Sequence, residues 1–495
     1  MNALQAGDLI HLLPELILVG AAVFLTLLDL ALPRRFGRSA LAWLTLAAIA
    51  GSAAAVAMKL GDEPVRLLND SYRIEDYANL FKLVFLGGGA LVVLMSIGSI
   101  RDDEIPHKGE YFYLFLPALV GAMVVASSGD LITLFVGLEL LGISSYVLVG
   151  MRKGSGTNNE AAFKYVVTGA IASAILLYGF SFLYGMSGST NLGAIRNALI
   201  QNYEQYDAMI YLSFFLVLAG FALKVAAAPF HAWAPDVYEG APTPITAFLA
   251  VVSKLAAFAI LFRVIYNVYA LNSHLYKDVL LALAVLAAAA MILGNALALK
   301  QYKVKRLLAF SGIANAGYLF VPLAANFSLT HYNNFSELLY YGIAYAVMNI
   351  GALAVLMAVS NRGENEELSA FAGLYHRAPW TAAAMTILLV SLAGLPVTGG
   401  FFGKLFILLG AMQTELYWLG AVMIVTSVVS FYYYFGFIRQ MYMRSSGSTP
   451  LSLTGPLAVA IWICTVLTLA LGFAPHIVIG YMTDLFQLQS DFLIG

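Results

Sequence analysis

Runs of roughly 20 apolar residues recur along almost the whole chain, and each is the length an α-helix needs to cross a hydrocarbon layer of about 30 Å. They fall near 9–32, 39–60, 77–100, 110–128, 130–150, 160–186, 207–228, 242–268, 278–299, 304–324, 335–359, 379–412, 416–440 and 455–480. Backbone N–H and C=O groups in lipid must be satisfied inside their own segment, so this pattern predicts an all-α integral membrane bundle of about fourteen helices. The sixth, eighth and twelfth runs exceed one span and are expected to be tilted or broken. Composition agrees: 61% of residues are hydrophobic and 11% charged, where a soluble domain carries about a quarter charged. The net charge of −1 gives nucleic acid nothing to bind, and the lone cysteine, Cys464, permits neither an internal disulfide nor an all-cysteine iron–sulfur site. The first run lacks the basic region and cleavage site of a signal peptide, so it reads as a retained helix.

Basic residues set the orientation, because they gather in inward-facing loops. With the N-terminus outside, 16 of the 26 Lys and Arg fall inside, among them Arg34, Arg35, Arg38, Arg101 and Arg362. Six, including Arg73 and Arg263, fall outside, and four (Lys82, Lys224, Lys254 and Lys404) fall within spans. An even helix count then puts both termini on the outer side of a cell membrane. Lys82, near the outer end of span three, is expected to snorkel. Segments 61–76 and 188–206 read as short amphipathic or extended pieces at the outer surface, and 361–377 as an interfacial helix or a subunit contact.

The stretch GFALKVAAAPFHAWAPDVYEGAPTPITAFLAVVSK (220–254) begins as an apolar helix carrying Lys224. It breaks over Pro229, Pro235, Pro242 and Pro244 and resumes as a second helix carrying Lys254. A counterpart, SLAGLPVTGGFFGKLFIL (391–408), interrupts an apolar run at Pro396, Gly399, Gly400 and Gly403 before Lys404. Matching these breaks pairs spans four to eight with spans nine to thirteen. An offset of five helices inverts the second copy in the membrane, a common transporter plan. The resulting divisions are a three-helix segment (1–105), two inverted five-helix repeats with broken helices 7 and 12 (106–270 and 271–445), and a last helix (446–495).

Glu139, Lys224, Lys254 and Lys404 lie where a span is driest. Each, unpaired, costs about 2.5–3.5 kcal/mol at mid-bilayer, so each must face the bundle interior with a partner or water. Burial lowers a lysine's proton affinity and a nearby carboxylate restores it, so such a lysine can load and release protons. Arginine, always charged, cannot. Glu139 is placed to tune Lys224 in this way; the alternative is a buried ion pair that only fixes packing. His231 titrates near neutrality and is either a relay to Lys224 or a histidine bonded to the broken backbone. Asp236 and Glu239 line an inward entry or are loop acids that are solvated or contact another subunit. Lys164 supports the fifth-span pair or anchors at the interface. Tyr341, Tyr345 and Asn349, spaced i, i+4, i+8 on span eleven, line a hydrated wire or simply pack.

Other patterns fail. GGFFGK (399–404) lacks the spacing and the Ser/Thr of a phosphate loop, and GSG (154–156) lacks a third glycine. The histidines are not paired for haem or zinc. FYYYFGF (431–437) reads as interfacial or lipid-facing aromatics.

The stretch 223–254, with Glu139 in GLELLG, VKRLLAFSGIANAGYLF (304–320) and GLPVTGGFFGK (394–404), resembles the antiporter-like membrane subunits of respiratory NADH–quinone oxidoreductase, complex I. The likeness covers nearly the entire chain. Lysine at 404 and the lack of a long C-terminal lateral helix make it most similar to the N type. The resemblance implies fourteen spans with inverted repeats, and proton translocation driven by quinone reduction elsewhere. It implies roles for Glu139 paired with Lys224, for Lys254 as the central lysine, for Lys404 exchanging protons with the outer side, and for His231 in the broken region. It also implies that NADH, FMN, iron–sulfur clusters and quinone sit on other subunits, and that homologous antiporter-like subunits are partners. Two rivals remain at this level: a subunit of a multi-subunit Na⁺/H⁺ antiporter, which shares the fold, and a non-pumping scaffold.

Overall fold

In the computed structural model, residues 6–32, 38–100, 105–270, 272, 274–326, 333–360, 366–444, 451 and 453–486 are described. Arg34, Arg35, Arg101, Arg362 and residues 361–365 lie outside them. Among the described residues, 13 helices are long and apolar enough to cross a membrane. Spans 1 to 6 are Leu13–Ala31, Ser39–Ala57, Asp76–Ser96, Lys108–Ser127, Leu131–Val149 and Gly156–Ser187. Spans 7 to 11 are Tyr203–Val225, Thr243–Ala270, Tyr276–Ala298, Val304–Ala324 and Asn334–Ser360. Two shorter helices, Pro379–Ala393 and Gly399–Gln413, stand where a single broken span 12 was expected, and Tyr417–Met443 and Gly455–Phe473 complete the series as spans 13 and 14. Span 6 is long but unbroken.

Burial orders these helices. The apolar stretches of spans 8, 10 and 11 are 94%, 100% and 94% buried, against 22% for span 1 and 33% for spans 2 and 13. Spans 8, 10 and 11 therefore form the axis, and the others shield it. Span 8 contains two π-helical turns, Leu249–Ser253 and Ile265–Ala270, the first ending directly before Lys254. Such turns frequently mark functional positions because they leave backbone groups imperfectly matched.

Both expected breaks are present, each closing on a left-handed residue. Span 7 stops at Ala226 (φ 55°) and the chain resumes as the short helix Trp233–Gly240, with the Trp233 indole N–H donating to the Leu223 carbonyl at 2.9 Å. Span 12 stops at Gly394 (φ 88°), a position that glycine takes without strain. GGFFGK lies inside the helix that follows.

The face bearing the termini holds the main departure from pure helix. Val65–Leu67 and Tyr72–Ile74 pair antiparallel, with further bridges from Tyr72 to Ser128 and from Asp130 to Asn191. The other expected surface piece is the helix Leu192–Gln201. On the opposite face, within 361–377, a 3₁₀ turn (Leu368–Phe371) and one helical turn (Leu374–Arg377) replace a longer interfacial helix.

Three expectations need correction. Lys82 does not snorkel: it is 2% exposed, and its ammonium pairs with Glu15 of span 1 at 2.8 Å. Arg263 does not face the outer side freely but is fully buried in span 8, paired with Glu75 and donating to the Ala126 carbonyl at 3.0 Å. Lys305, at the inward end of span 10, is likewise buried and paired with Glu366 at 2.7 Å. The FYYYFGF run is two-faced, with Tyr432 75% exposed and Tyr433, Tyr434 and Phe437 buried. A helix periodically turns an aromatic run both ways, so its composition alone could not assign a facing.

Candidate functional site

Glu139 sits near the midpoint of span 5 and Lys224 at the last turn of span 7, and the break after Lys224 brings the two together. The Lys224 ammonium donates to Glu139 Oε1 at 3.3 Å, and the Ser173 hydroxyl from span 6 donates to the same oxygen at 2.5 Å. A cavity of about 20 Å³ adjoins the ammonium, lined by Tyr146, Tyr165, Trp233 and Ser253 among others. That is room for one water molecule with several polar neighbours. Ser253 directly precedes Lys254, and the Tyr165 hydroxyl interacts with both Ser253 and Ser145. Polar groups thus lead from the first lysine toward the second.

Lys254 is 3% exposed and donates to the Gly312 carbonyl of span 10 at 2.7 Å, with the Tyr345 ring centroid 5.5 Å away. A carbonyl dipole and an aromatic face stabilise an ammonium less than a carboxylate does. Lys254 is therefore the more weakly held charge of the two. The Tyr345 hydroxyl and both amide atoms of Asn349 face this region without a well-formed partner among the described residues. Buried polar atoms left open in this way are where ordered water belongs.

From Gly312 the polar groups continue along span 10. Ser311 bonds to Tyr434 of span 13, the Asn315 amide donates to Ser311 at 3.3 Å, and the Tyr341 hydroxyl donates to Asn315 at 2.6 Å. Tyr433 donates to Asn295 of span 9 at 2.9 Å. The Tyr318 hydroxyl shares a hydrogen bond with Thr426 at 3.2 Å, and its ring centroid lies 4.8 Å from the Lys404 ammonium. Lys404 donates to the carbonyls of Leu392 and Ala393 at 3.0 and 3.1 Å. Those carbonyls are freed because span 12 ends there, and the negative end of a helix dipole suits a cation. The two broken helices thus do different work: one brings Lys224 to a carboxylate, the other presents bare carbonyls to Lys404.

The remaining candidates form a separate cluster on the face opposite the termini. Lys164 does not reach Glu139; it pairs with Asp236 at 2.6 Å and with Glu160 at 2.7 Å. Arg306 bonds Asp236 at 2.6 Å and Glu239 at 2.9 Å, and Lys303 bonds Glu239 at 2.5 Å. Burial pushes both carboxyls up, but hydrogen bonds from Lys164 and Arg306 to Asp236, and from Lys303 and Arg306 to Glu239, outweigh it and hold both below their ordinary values. This cluster ties spans 6 and 10 to the helix Trp233–Gly240. His231 lies in the break with its ring edge-on to Phe310, and among the described residues its Nδ1 has no well-formed hydrogen bond. Burial lowers its pKa, and a hydrogen bond involving the Pro229 backbone offsets part of that.

Sequence reasoning missed Ser173, Ser253, Ser311, Gly312, Asn315, Tyr318 and Tyr434. A signal existed for part of this set: Ser311, Asn315 and Tyr318 fall at i, i+4 and i+7, a polar stripe in an otherwise apolar span. Among the described residues, no group of three or more His, Cys, Asp and Glu is arranged to hold a metal ion.

The model of the family described as NADH:quinone oxidoreductase/Mrp antiporter, transmembrane, matches residues 128–430. The chain is 50% identical to a NADH-quinone oxidoreductase subunit N from Paenibacillus sp. (strain JDR-2), over 98% of each chain. Among solved structures it is similar to a chain of respiratory complex I from Thermus thermophilus with bound aureothin. That match has 32% identity and a TM-score of 0.79, covering 94% of this chain and 98% of that one. A chain of the Mrp complex from Dietzia sp. DQ12-45-1b matches with 19% identity and a TM-score of 0.81, covering 96% and 97%, which is a likeness of fold alone.

Proposed function

The chain belongs to the NADH-quinone oxidoreductase subunit N family, and from that premise we propose that it moves protons across the membrane along its row of buried lysines. Quinone reduction on other subunits drives the movement. The observation that carries the proposal is the run of polar groups joining Lys224/Glu139, Lys254 and Lys404 through the buried axis. Protons enter from the inner side near His231 and the Asp236/Glu239 cluster, load Lys224, pass to Lys254 and leave by way of Lys404. Tyr341, Tyr345 and Asn349 line the second half of the path. The basic-residue bias supports an outer location for both termini, so the face bearing them is the exit side.

The two broken helices support a pair of inverted repeats, 106–270 and 271–445, preceded by 1–105 and followed by 446–495. NADH, FMN, the iron–sulfur clusters and quinone belong to partner subunits, and homologous antiporter-like subunits are the neighbours in the membrane. Identity to subunit N relatives over nearly the full length favours this reading over a Na⁺/H⁺ antiporter subunit, whose match rests on fold alone.

The test is Lys254→Met in the assembled complex, reconstituted in vesicles. NADH-driven proton uptake is expected to fall several-fold with assembly intact. Uptake at the unaltered rate overturns the proposal.

A further inference from the structure

Span 11 carries its polar residues on one stripe, and the stripe extends further than the tyrosines. Glu337, Tyr341, Tyr345 and Asn349 are spaced four apart, so they share one helical face from the first turn of the span to beyond its middle. Glu337 is 2% exposed. A carboxylate held that dry within a span is costly, and cost of this kind marks function more often than packing.

The neighbouring helix is shaped to receive it. A Cβ at Gly403 would meet Tyr341 Cδ2 at 2.6 Å, and one at Gly410 would meet the Glu337 carboxylate oxygens at 2.5 and 2.7 Å. Two glycines seven residues apart thus let span 11 lay Tyr341 and then Glu337 against the half-helix that carries Lys404. Gly410 lies six residues beyond Lys404, about 9 Å along the axis at ~1.5 Å per residue. The displacement is toward the face bearing the termini, where span 11 begins. Buried hydroxyl and amide groups continue in that direction: Thr483 donates to Ser336 at 3.1 Å, and Asn334 donates to Tyr266 at 3.1 Å.

We propose that Glu337 is the carboxylate through which protons from Lys404 leave toward the face bearing the termini; this rests on the proton-transport reading above. Among the described residues the Lys404 ammonium is held by the Leu392 and Ala393 carbonyls and the Tyr318 ring, with no carboxylate in contact to take its proton. In the step, an N–H bond of Lys404 breaks and the proton crosses the intervening gap through water. An O–H bond then forms on Glu337, leaving a neutral amine and a neutral acid. Breaking that O–H bond to water at the membrane face restores the carboxylate.

The test compares Glu337→Gln, Glu337→Asp and Lys404→Met in the assembled complex in vesicles, reading proton uptake per NADH oxidised. Glu337→Gln is expected to lower the ratio as far as Lys404→Met does, and Glu337→Asp to keep more than half of it. An unaltered ratio in Glu337→Gln alongside a lowered one in Lys404→Met overturns the assignment. An unaltered ratio in both overturns the transport reading and the assignment with it. Gly410→Ala keeps both charges and displaces the carboxylate, so it decides the matter if Glu337→Gln does not assemble. At least a twofold loss supports the proposal, and an unaltered ratio in assembled Gly410→Ala complex overturns it.

Discussion

The Lys224 ammonium and the Glu139 carboxylate stand 3.3 Å apart, while a serine hydroxyl holds the same carboxylate oxygen at 2.5 Å. The pair is loose, and its side chains keep 14% and 25% of their surface exposed. The water-sized cavity beside Lys224 and the Ser173 hydroxyl on Glu139 leave each member a polar partner when the other is replaced, so losing this pair leaves folding nearly intact. Its value is the proton affinity the carboxylate lends the lysine.

Lys224→Met and Glu139→Ala are therefore each expected to lower coupled proton transport at least threefold while the complex still assembles. Proton uptake by vesicles, read beside a native gel, measures both quantities. Normal transport in both variants refutes the roles given to these residues.

A backbone position offers a charge-neutral probe of Lys254. At Gly312 an added Cβ would lie 3.2 Å from the Lys254 nitrogen and 3.0 Å from the Tyr345 hydroxyl. Gly312→Ala should shift the ammonium off the Gly312 carbonyl and slow transport at least twofold without dispersing the complex. Gly87→Ala in span 3, where a Cβ meets nothing within 4 Å, serves as control. Equal transport in the two alanine variants would show that the position of Lys254 is not critical.

These residues differ in how plainly the chain announces them. Span number and position were legible because crossing a bilayer is a matter of local apolar length. Lys224, Lys254, Lys404 and Glu139 stood out because a charge inside such a run has no cheap alternative to a function or a partner. Lys82, Arg263 and Glu337 did not, because near the end of a span a long charged side chain reaches water as readily as it reaches a buried partner. Only the fold brings Glu15 to Lys82 and Glu75 to Arg263. Ser311, Gly312 and Asn315 passed unnoticed for a different reason. Small polar residues cost little in a membrane helix and recur at ordinary helix contacts.

The cluster opposite the termini gives a pH dependence. Asp236 and Glu239 have folded pKa values below their unfolded ones. A depressed carboxyl contributes stability that is fully present above its unfolded pKa and is lost as pH falls through the folded value. Thermal stability of the complex in detergent should therefore change little through these groups between about pH 8 and pH 5, and fall below about pH 4. The double variant Asp236→Asn, Glu239→Gln should show a shallower acid loss in a melting series. An acid limb as steep as in the unaltered protein would assign that loss to other carboxyls.

The Arg263–Glu75 pair makes the opposite case to Lys224–Glu139. Both side chains are buried to 1% exposure or less, and Arg263 also donates to the Ala126 carbonyl and lies over the Tyr77 ring at 4.7 Å. Taking away one member of such a pair strands an uncompensated charge, at a cost of about 3–5 kcal/mol, whereas replacing both can be nearly neutral. Arg73 approaches Glu75 at 3.7 Å but is itself committed to Asp70 at 2.7 Å, so it compensates the loss of Arg263 only in part. Arg263→Met should accordingly lower the yield of assembled complex sharply, and adding Glu75→Gln should recover much of it. Since the pair lies apart from the Lys254–Lys404 groups, proton transport per NADH in the recovered double variant should match the unaltered protein. A double variant that assembles fully but does not pump would move Arg263 and Glu75 from the frame of the molecule into its proton path.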